Sequence, residues 1–327
     1  MANLYARIQK RCKSLAENWK NDSLFSKKLA VLRFTDDVSG RLGLGHLSAY
    51  AHEKKERFIL QFLQDELAMI IDRYRNDTYT GEKTEPDAPI WICWWSGEDT
   101  APDLVKQCIR SIRKNAGSHP VNLVDAHNYK NYLDIPEVIL GKLHAGKMKT
   151  AHFADYLRVC LIEKYGGLWL DSTIFSSKTI PEEYFDRDFF TCKSPVKKGC
   201  FLSDFQWTTF CLGGHKHHVF YRFMKESFEC YWSKENAAID YLFFDDLIYI
   251  AKETIPAIEA AIDGVPINNL RRDDLQAAMN AACPGKDFWN VVQEDTVLYK
   301  LSWREAYLRS TLCGEQTVFD YMLKMKF

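Results

Sequence analysis

The hydrophobic and polar positions of the first 85 residues follow the period of α-helices. Within residues 56–74, apolar side chains recur at helical spacing: Phe58, Leu60, Phe62, Leu63, Leu67, Ile70 and Ile71. Residues 39–46 are glycine-rich, but they lack the preceding strand and the Lys-Ser/Thr ending of a phosphate-binding loop, so they predict an ordinary loop. The polar segment 76–89 contains two prolines and predicts a linker. We therefore expect an N-terminal helical region over residues 1–85.

From residue 90 onwards, short apolar runs alternate with helical segments. The run 90–95 suits a buried first strand, residues 103–115 predict an amphipathic helix, and residues 120–124 predict a second strand. Strand, helix and strand at this spacing are typical of a βαβ unit, which requires a parallel sheet. We therefore expect an α/β domain over residues 86–327.

The pattern is less regular beyond residue 193, and we interpret residues 193–327 as a mostly helical addition to the α/β domain. Five elements are predicted there: helices over 219–232, over 239–251 and after residue 273, a strand over 296–300 and a closing helix over 312–327. The segment His215-Lys216-His217-His218 suggests a metal cluster, but no Cys or acid completes a tetrahedral site. A solvated loop is the favoured interpretation.

Residues 147–174 combine a helix, a glycine turn and a strand that stops at an acid. The helix is predicted over 150–164, Gly166 and Gly167 end it, and the apolar run 168–170 predicts a buried strand. Asp171 closes that strand. In α/β proteins, ligands bind beyond the carboxyl ends of parallel strands, which favours a ligand site slightly over a simple Asx-turn.

The predicted helix over 150–164 carries its polar residues on one side. His152, Asp155 and Arg158 lie opposite the apolar face. A solvated Asp-Arg pair at i,i+3 is the simpler interpretation and is favoured from spacing alone. The alternative is a cluster that forms hydrogen bonds with a polyol.

Composition excludes some classes of partner and leaves others open. The chain of 327 residues has 43 basic and 44 acidic side chains, so no long-range field attracts it to nucleic acid. The ten cysteines form no Cys-x-x-Cys pair, which predicts reduced, buried thiols. No apolar signal core and no bilayer-length apolar run occurs. We expect a cytoplasmic protein, with peripheral association with a membrane assembly machinery left open.

Together, these motifs resemble those of the capsular polysaccharide synthesis glycosyltransferases, relatives of the retaining family 32 transferases with a "DxD" sugar-binding region. The family pattern places an Asp three residues before an Arg and follows it with Tyr-Gly-Gly-x-x-x-Asp-x-Asp. The matching segments are 149–158 and 165–173, together with 90–97, 239–242 and 297–301. The resemblance covers roughly residues 88–305.

This resemblance implies a GT-A fold, a Rossmann-like sheet that binds a nucleotide sugar, with a helical acceptor region on its C-terminal side. The catalytic residues would be Asp155, Arg158 and Asp171. The donor would contact Trp91, Cys93, Trp94, Trp95, Gly97, Lys149, His152, Asp155, Arg158, Gly167, Asp171, Ser172 and Thr173. The acceptor-side candidates are Trp207, Asp240 and Asp245.

The chain departs from the stricter family pattern at Thr173, where that pattern has its second Asp. The resemblance implies a divalent cation, Mn²⁺ or Mg²⁺, held by Asp171 and Thr173. Such ions prefer carboxylate oxygens, so a Thr hydroxyl predicts weakened binding.

The expected activity is transfer of a hexose from a nucleotide diphosphate sugar, with UDP-sugars favoured. The acceptor would be a glycan or lipid-linked oligosaccharide in a bacterial capsular or other surface polysaccharide, with retention of configuration. The alternative suggested by Thr173 is a catalytically silent glycan- or nucleotide-binding component of an assembly complex. A glycoside hydrolase, which needs two carboxylates beside one bond, also stays open.

Overall fold

The computed structural model describes residues 2–83, 85–199, 202–285, 292 and 294–326. Side chains of residues 2–4, 6–8 and 10 are outside that description. Among the described residues, no helix is both long and apolar enough to cross a bilayer. The described cysteines are all free thiols, as predicted, but only four are fully buried. Cys200 lies outside the described residues.

The predicted helical character of the N-terminal region is confirmed. Among its described residues the helices are α1 Ala2–Phe25, α2 Lys27–Arg41, α3 Gly45–Glu66 and α4 Ala68–Tyr74. The loop predicted over 39–46 is wrong in its extent, because Ser39 to Arg41 continue α2 and Gly45 already starts α3. A buried apolar stripe joins this region to the core of the molecule: Leu29, Ile59, Leu63, Leu67, Ile70, Ile71 and Tyr74. These helices therefore share one hydrophobic core with the rest of the chain.

In the part of the chain that the structure describes, the central sheet has five strands. Their bounds are β1 Ile90–Cys93, β2 Val121–Val124, β3 Gly167–Leu170, β5 Phe189–Thr191 and β6 Cys211–Gly214. Their order across the sheet is β2-β1-β3-β6-β5. The predicted βαβ unit is confirmed, because β1 pairs in parallel with both β2 and β3. β6 runs antiparallel to its neighbours β3 and β5, so it alone opposes the common strand direction.

The remaining helices pack around this sheet. They are α5 Asp103–Asn115, α6 Glu137–His144, α7 Thr150–Tyr165, α8 Glu183–Asp186, α9 Val219–Lys234, α10 Phe243–Thr254, α11 Pro256–Asp263, α12 Asp274–Ala278 and α13 Val318–Lys324. The helix predicted over 239–251 begins four residues late, and the closing helix is only seven residues long. The mixed α/β class is confirmed, and its sheet is compatible with a Rossmann-like fold. The GT-A assignment and the boundary at residue 85 stay predictions.

A second sheet connects the end of the opening motif to a distant part of the chain. Strand β4, Ile174–Ser176, pairs in antiparallel fashion with β7, Leu298–Lys300. Ile174 lies opposite Lys300, and the Leu301 amide donates to the Thr173 carbonyl over 3.0 Å. This register places the residues after β7 directly beside the residues after β3.

The Gly-Gly turn before β3 is required by close packing. Gly167 has φ of 91°, and a Cβ atom there would lie 2.1 Å from the carbonyl oxygen of Pro89. Only glycine fits, because a side chain would collide with backbone that cannot move without displacing β1.

We expect Gly167→Ala to destabilise the protein by roughly 2 kcal/mol more than Gly146→Ala, because overpacking adds to backbone strain at Gly167. Gly146 also has positive φ, 68°, but nothing lies within 4 Å of the position that a Cβ atom would take there, so it isolates the strain contribution. Urea unfolding of both variants measures the difference. Equal losses of stability would contradict the close-packing argument.

Candidate functional site

A cavity of about 680 Å³ opens at the carboxyl edge of β1 and β3. Residues from six segments line it, those at the ends of β1, β3 and β7, those at the starts of α7 and α10, and Thr209 just before β6: 93–96, 150–158, 169–173, 209, 241–245 and 300–304. This edge is where α/β sheets bind their ligands, because parallel strand ends and the loops that follow them converge there.

The Asp171 carboxylate lies between two cations in this cavity. Its Oδ1 accepts from Arg158 Nη2 and from the Trp169 indole nitrogen, each over 3.0 Å. Its Oδ2 accepts from Lys300 Nζ over 2.7 Å. Burial acts to raise the pKa of Asp171, but Lys300 and Arg158 outweigh it and hold that pKa at about 2. Asp171 is therefore a fully charged anion with both oxygens engaged.

Arg158 is buried and links two carboxylates. Its Nη1 lies 2.9 Å from Asp155 Oδ1, while its Nη2 donates to Asp171. The guanidinium lies over the rings of Trp169 and Phe244, at 4.9 and 5.5 Å from their centroids. Its Nε and Nη1 are both buried, and neither makes a hydrogen bond to a described residue, so the contact of Nη1 with Asp155 is a close ion pair. Such an unpaired buried donor is uncommon and is often found at functional sites.

Two further acids in the cavity wall hold their protons more tightly than Asp171. Burial raises the pKa of Asp155 to about 7, although the neighbouring Arg158 opposes the shift. Burial likewise raises the pKa of Asp245 to about 6, although the Trp207 indole donates to Asp245 Oδ1 over 3.0 Å. Near neutral pH the cavity therefore carries less negative charge than its acid count suggests.

Many of the predicted site residues meet at this cavity. Those lining it are Cys93, Trp94, Trp95, His152, Asp155, Arg158, Asp171, Ser172, Thr173 and Asp245. The polar face of α7 is not solvated, since His152 and Arg158 are only 3% and 4% exposed. The simpler interpretation of a solvated Asp-Arg pair is therefore wrong.

Other predicted site residues lie outside this cavity. Trp91 is buried in the core, where its Nε1 donates to the Gly166 carbonyl over 3.0 Å. Trp207 lies behind the cavity wall on Asp245, and the remaining four are Gly97, Gly167, Lys149 and Asp240.

Asp240, like Lys149, lines a smaller neighbouring cavity of about 330 Å³. Arg33 of α2 donates to Asp240 and Asp22 there, which ties the N-terminal helices to this part of the chain. The two cavities share His152 and Tyr241 in their walls. Asp240 therefore lies next to the larger cavity but outside it.

The segment after β7 supplies cavity residues that sequence reasoning missed. Lys300, Trp303 and Arg304 all line the cavity, and Trp303 packs edge-on against Trp94 with centroids 5.7 Å apart. A signal was present, because residues 297–301 form one of the segments that resemble the family. Nothing local in the sequence indicates that Lys300 lies beside Asp171.

The predicted divalent cation does not fit this arrangement of side chains. Lys300 Nζ donates both to Asp171 Oδ2 and to Thr173 Oγ1, the two proposed ligands, over 2.7 and 2.8 Å. Within the described ranges, no group of three or more His, Cys, Asp or Glu side chains is arranged to hold a metal ion. His217 pairs with Glu163, and His218 caps α9, so these two histidines have structural partners.

Fold and cavity together define an α/β protein with a cavity lined by charged side chains at the carboxyl edge of its sheet. The sequence profile described as capsular polysaccharide synthesis protein matches residues 45–322. The chain belongs to this family, which indicates a biosynthetic role in surface polysaccharide synthesis. No curated protein matches the chain. The relation to glycosyltransferase family 32 stays a prediction.

Arg158→Met is expected to reduce the free energy of unfolding by about 3 kcal/mol or more, because it leaves Asp155 without its ion-pair partner and Asp171 with only one of its two cations. Arg158→Lys should restore little of this stability, since an ammonium lacks the planar, forked guanidinium that reaches both acids. Arg222→Met is a matched control, because Arg222 pairs with Asp77 and is one-third exposed. Urea unfolding compares the three variants. If Arg158→Met lowers the free energy of unfolding no more than Arg222→Met does, the stabilising role of the buried Arg158 is contradicted.

Asp155 should make stability depend on pH. Its folded pKa lies above the unfolded value, so the native state retains a proton that the unfolded chain loses, and stability falls as pH rises from about 4 to 7. Since one pKa unit corresponds to about 1.4 kcal/mol, the loss is on the order of a few kcal/mol. Urea unfolding from pH 4 to 8 should show a flatter profile for Asp155→Asn. If the free energy of unfolding of Asp155→Asn depends on pH as steeply as that of the wild type, the raised pKa of Asp155 is contradicted.

Proposed function

We propose that this protein is a glycosyltransferase that moves a hexose from a nucleotide diphosphate sugar, with UDP-sugars favoured, to a glycan or lipid-linked oligosaccharide. The observation that carries the proposal is the Asp155–Arg158–Asp171 cluster, which lies in a cavity at the carboxyl edge of the sheet. The product would be part of a capsular or other surface polysaccharide, which agrees with the family.

The chemistry of the cavity suits such a donor. The anionic diphosphate would be bound by the cationic side chains Arg158, Lys300 and Arg304. Sugar hydroxyls would donate to carboxylates in charge-assisted hydrogen bonds, and Asp155, whose Oδ1 pairs with Arg158, is a candidate acceptor. Trp94 and Trp303 offer apolar ring faces to a nucleobase or a sugar.

Retention of configuration is proposed through transfer on a single face of the sugar. A double displacement would need a carboxylate nucleophile, and Asp171 is a weak one because cations and an indole occupy both of its oxygens. In front-face transfer the leaving diphosphate helps to deprotonate the acceptor hydroxyl.

A silent nucleotide- or glycan-binding component is the second candidate. The observation that favours it is the same neutralisation of Asp171 by Lys300 and Arg158, which leaves the carboxylate no free oxygen. Turnover separates the two candidates, because a binding component would bind nucleotide without consuming a sugar donor.

Incubation of the purified protein with a panel of UDP- and GDP-sugars tests the proposal. We expect release of nucleoside diphosphate from at least one donor, faster in the presence of acceptor glycan. Asp171→Asn should lower turnover by about 10²-fold or more, because the cations lose the charge that positions them.

Asp188→Asn is the matched control, since Asp188 precedes β5 at the opposite edge of the sheet. It should retain wild-type turnover. Nucleotide binding without donor consumption would favour the silent component, and absence of both would overturn the proposed function.

A further inference from the structure

Lys300 occupies the position where the sequence pattern predicts a metal ion. The antiparallel pairing of β4 with β7 sets this position, because Ile174 lies opposite Lys300 and the Lys300 side chain then reaches back to residues 171–173. Its ammonium lies within hydrogen-bond distance of Asp171 Oδ2 and Thr173 Oγ1, at 2.7 and 2.8 Å. A cationic group of the chain thus already bridges the pair of side chains expected to bind the metal.

The surroundings favour a resident ammonium over a divalent ion. A metal between Asp171 and Thr173 would displace the Lys300 ammonium from both side chains. The metal would still lie close to Lys300 and Arg158, and like charges a few ångströms apart repel strongly in a partly buried site. Thr173 also supplies only a neutral hydroxyl. Thr173 accepts a hydrogen bond from an ammonium well, so this departure from the family pattern matches Lys300 better than it matches Mn²⁺.

The ammonium also keeps capacity for a ligand. It has three N–H donors, two of which are used by Asp171 and Thr173. No described residue accepts a hydrogen bond from the third, although the centroid of the Phe210 ring lies 5.1 Å from the ammonium nitrogen, and the side chain is 28% exposed. Lys300 is thereby held in place by its two partners and can still donate to a phosphate oxygen.

We propose that Lys300 replaces the divalent cation and that the transferase works without a metal, an inference that rests on the proposed glycosyltransferase function. Lys300 binds the diphosphate of the donor, and Arg158 assists from the other side of Asp171. Lys300 is then a catalytic residue, because its ammonium touches the leaving group.

The transfer balances without a metal or any other reactant. The bond between the sugar C1 and the diphosphate oxygen breaks, and its electron pair leaves with the nucleoside diphosphate. The acceptor hydroxyl oxygen forms the new bond to C1 and gives its proton to a phosphate oxygen. The negative charge that develops on the leaving oxygen is stabilised by the Lys300 ammonium, as a preorganised donor.

Neighbouring acids support the charge balance of this site. The charged and titratable side chains that line the cavity together with Lys300 are Cys93, His152, Asp155, Arg158, Asp171, Tyr241, Asp245 and Arg304. Burial raises the pKa values of Asp155 and Asp245, so both acids hold a proton for part of the time near neutral pH. With three cationic side chains against Asp171 and two partly protonated acids, the cavity carries a small net positive charge, which suits a diphosphate.

Calorimetric titration with UDP and with GDP, in excess EDTA and in Mn²⁺, tests the inference alongside turnover. Wild-type affinity and turnover should change less than about twofold in EDTA. Lys300→Met should weaken binding about tenfold or more, as expected for a lost charged hydrogen bond, and should lower kcat by about 10²-fold. Lys300→Arg should recover part of the affinity, because the positive charge is kept.

Lys225→Met is the matched control, since Lys225 is a partly buried lysine paired with Glu163 away from both cavities. It should bind and turn over as the wild type does. Circular dichroism confirms that each variant is folded. If Lys300→Met does not fold, the titrations in EDTA and the Lys300→Arg variant test the role of Lys300 instead.

The outcomes separate the two proposals. Wild-type binding and turnover that vanish in EDTA and return with Mn²⁺ would overturn the role of Lys300 and leave the proposed function intact. Unchanged affinity and turnover in a folded Lys300→Met protein would also overturn the role of Lys300 and leave the proposed function intact. No nucleotide binding by the wild type under either condition would overturn the proposed function itself.

Discussion

The partial burial of a charged carboxylate at the end of β3 is the constraint on which the site depends. Asp171 keeps its charge because Arg158 and Lys300 hold it from two sides. An ionised carboxylate taken out of water without such partners costs several kcal/mol. Helix α7, strand β3 and strand β7 must therefore meet at fixed distances, and this requirement shapes the whole cavity.

Meeting that constraint also prepares the cavity for an anionic ligand. The cations are held in place before any ligand arrives, so little reorganisation is needed when a phosphate binds. Arg158 is fixed further by the rings of Trp169 and Phe244. The interactions that stabilise Asp171 in the folded protein are thus the same ones that the proposed reaction would use.

The N-terminal helices belong to this arrangement. Arg33 pairs with Asp22 and with Asp240, which lies beside the larger cavity, and the apolar stripe of α2 to α4 joins the common core. The family profile begins at residue 45, the first residue of α3. The N-terminal helices therefore pack against the structure around the cavity, and they are not a detached extension.

The sequence by itself determined the features that depend on near neighbours. Helix α5, helix α7, the turn at Gly167 and the placement of Asp171 at a strand end follow from local periodicity, glycine conformations and short apolar runs. It could not show that Trp91 points into the core, that the polar face of α7 is buried, or that Lys300 contacts Asp171. Those features arise from packing and from strand pairing across 129 positions of the chain, which no local pattern encodes. The tertiary structure therefore decided which cation accompanies the carboxylate.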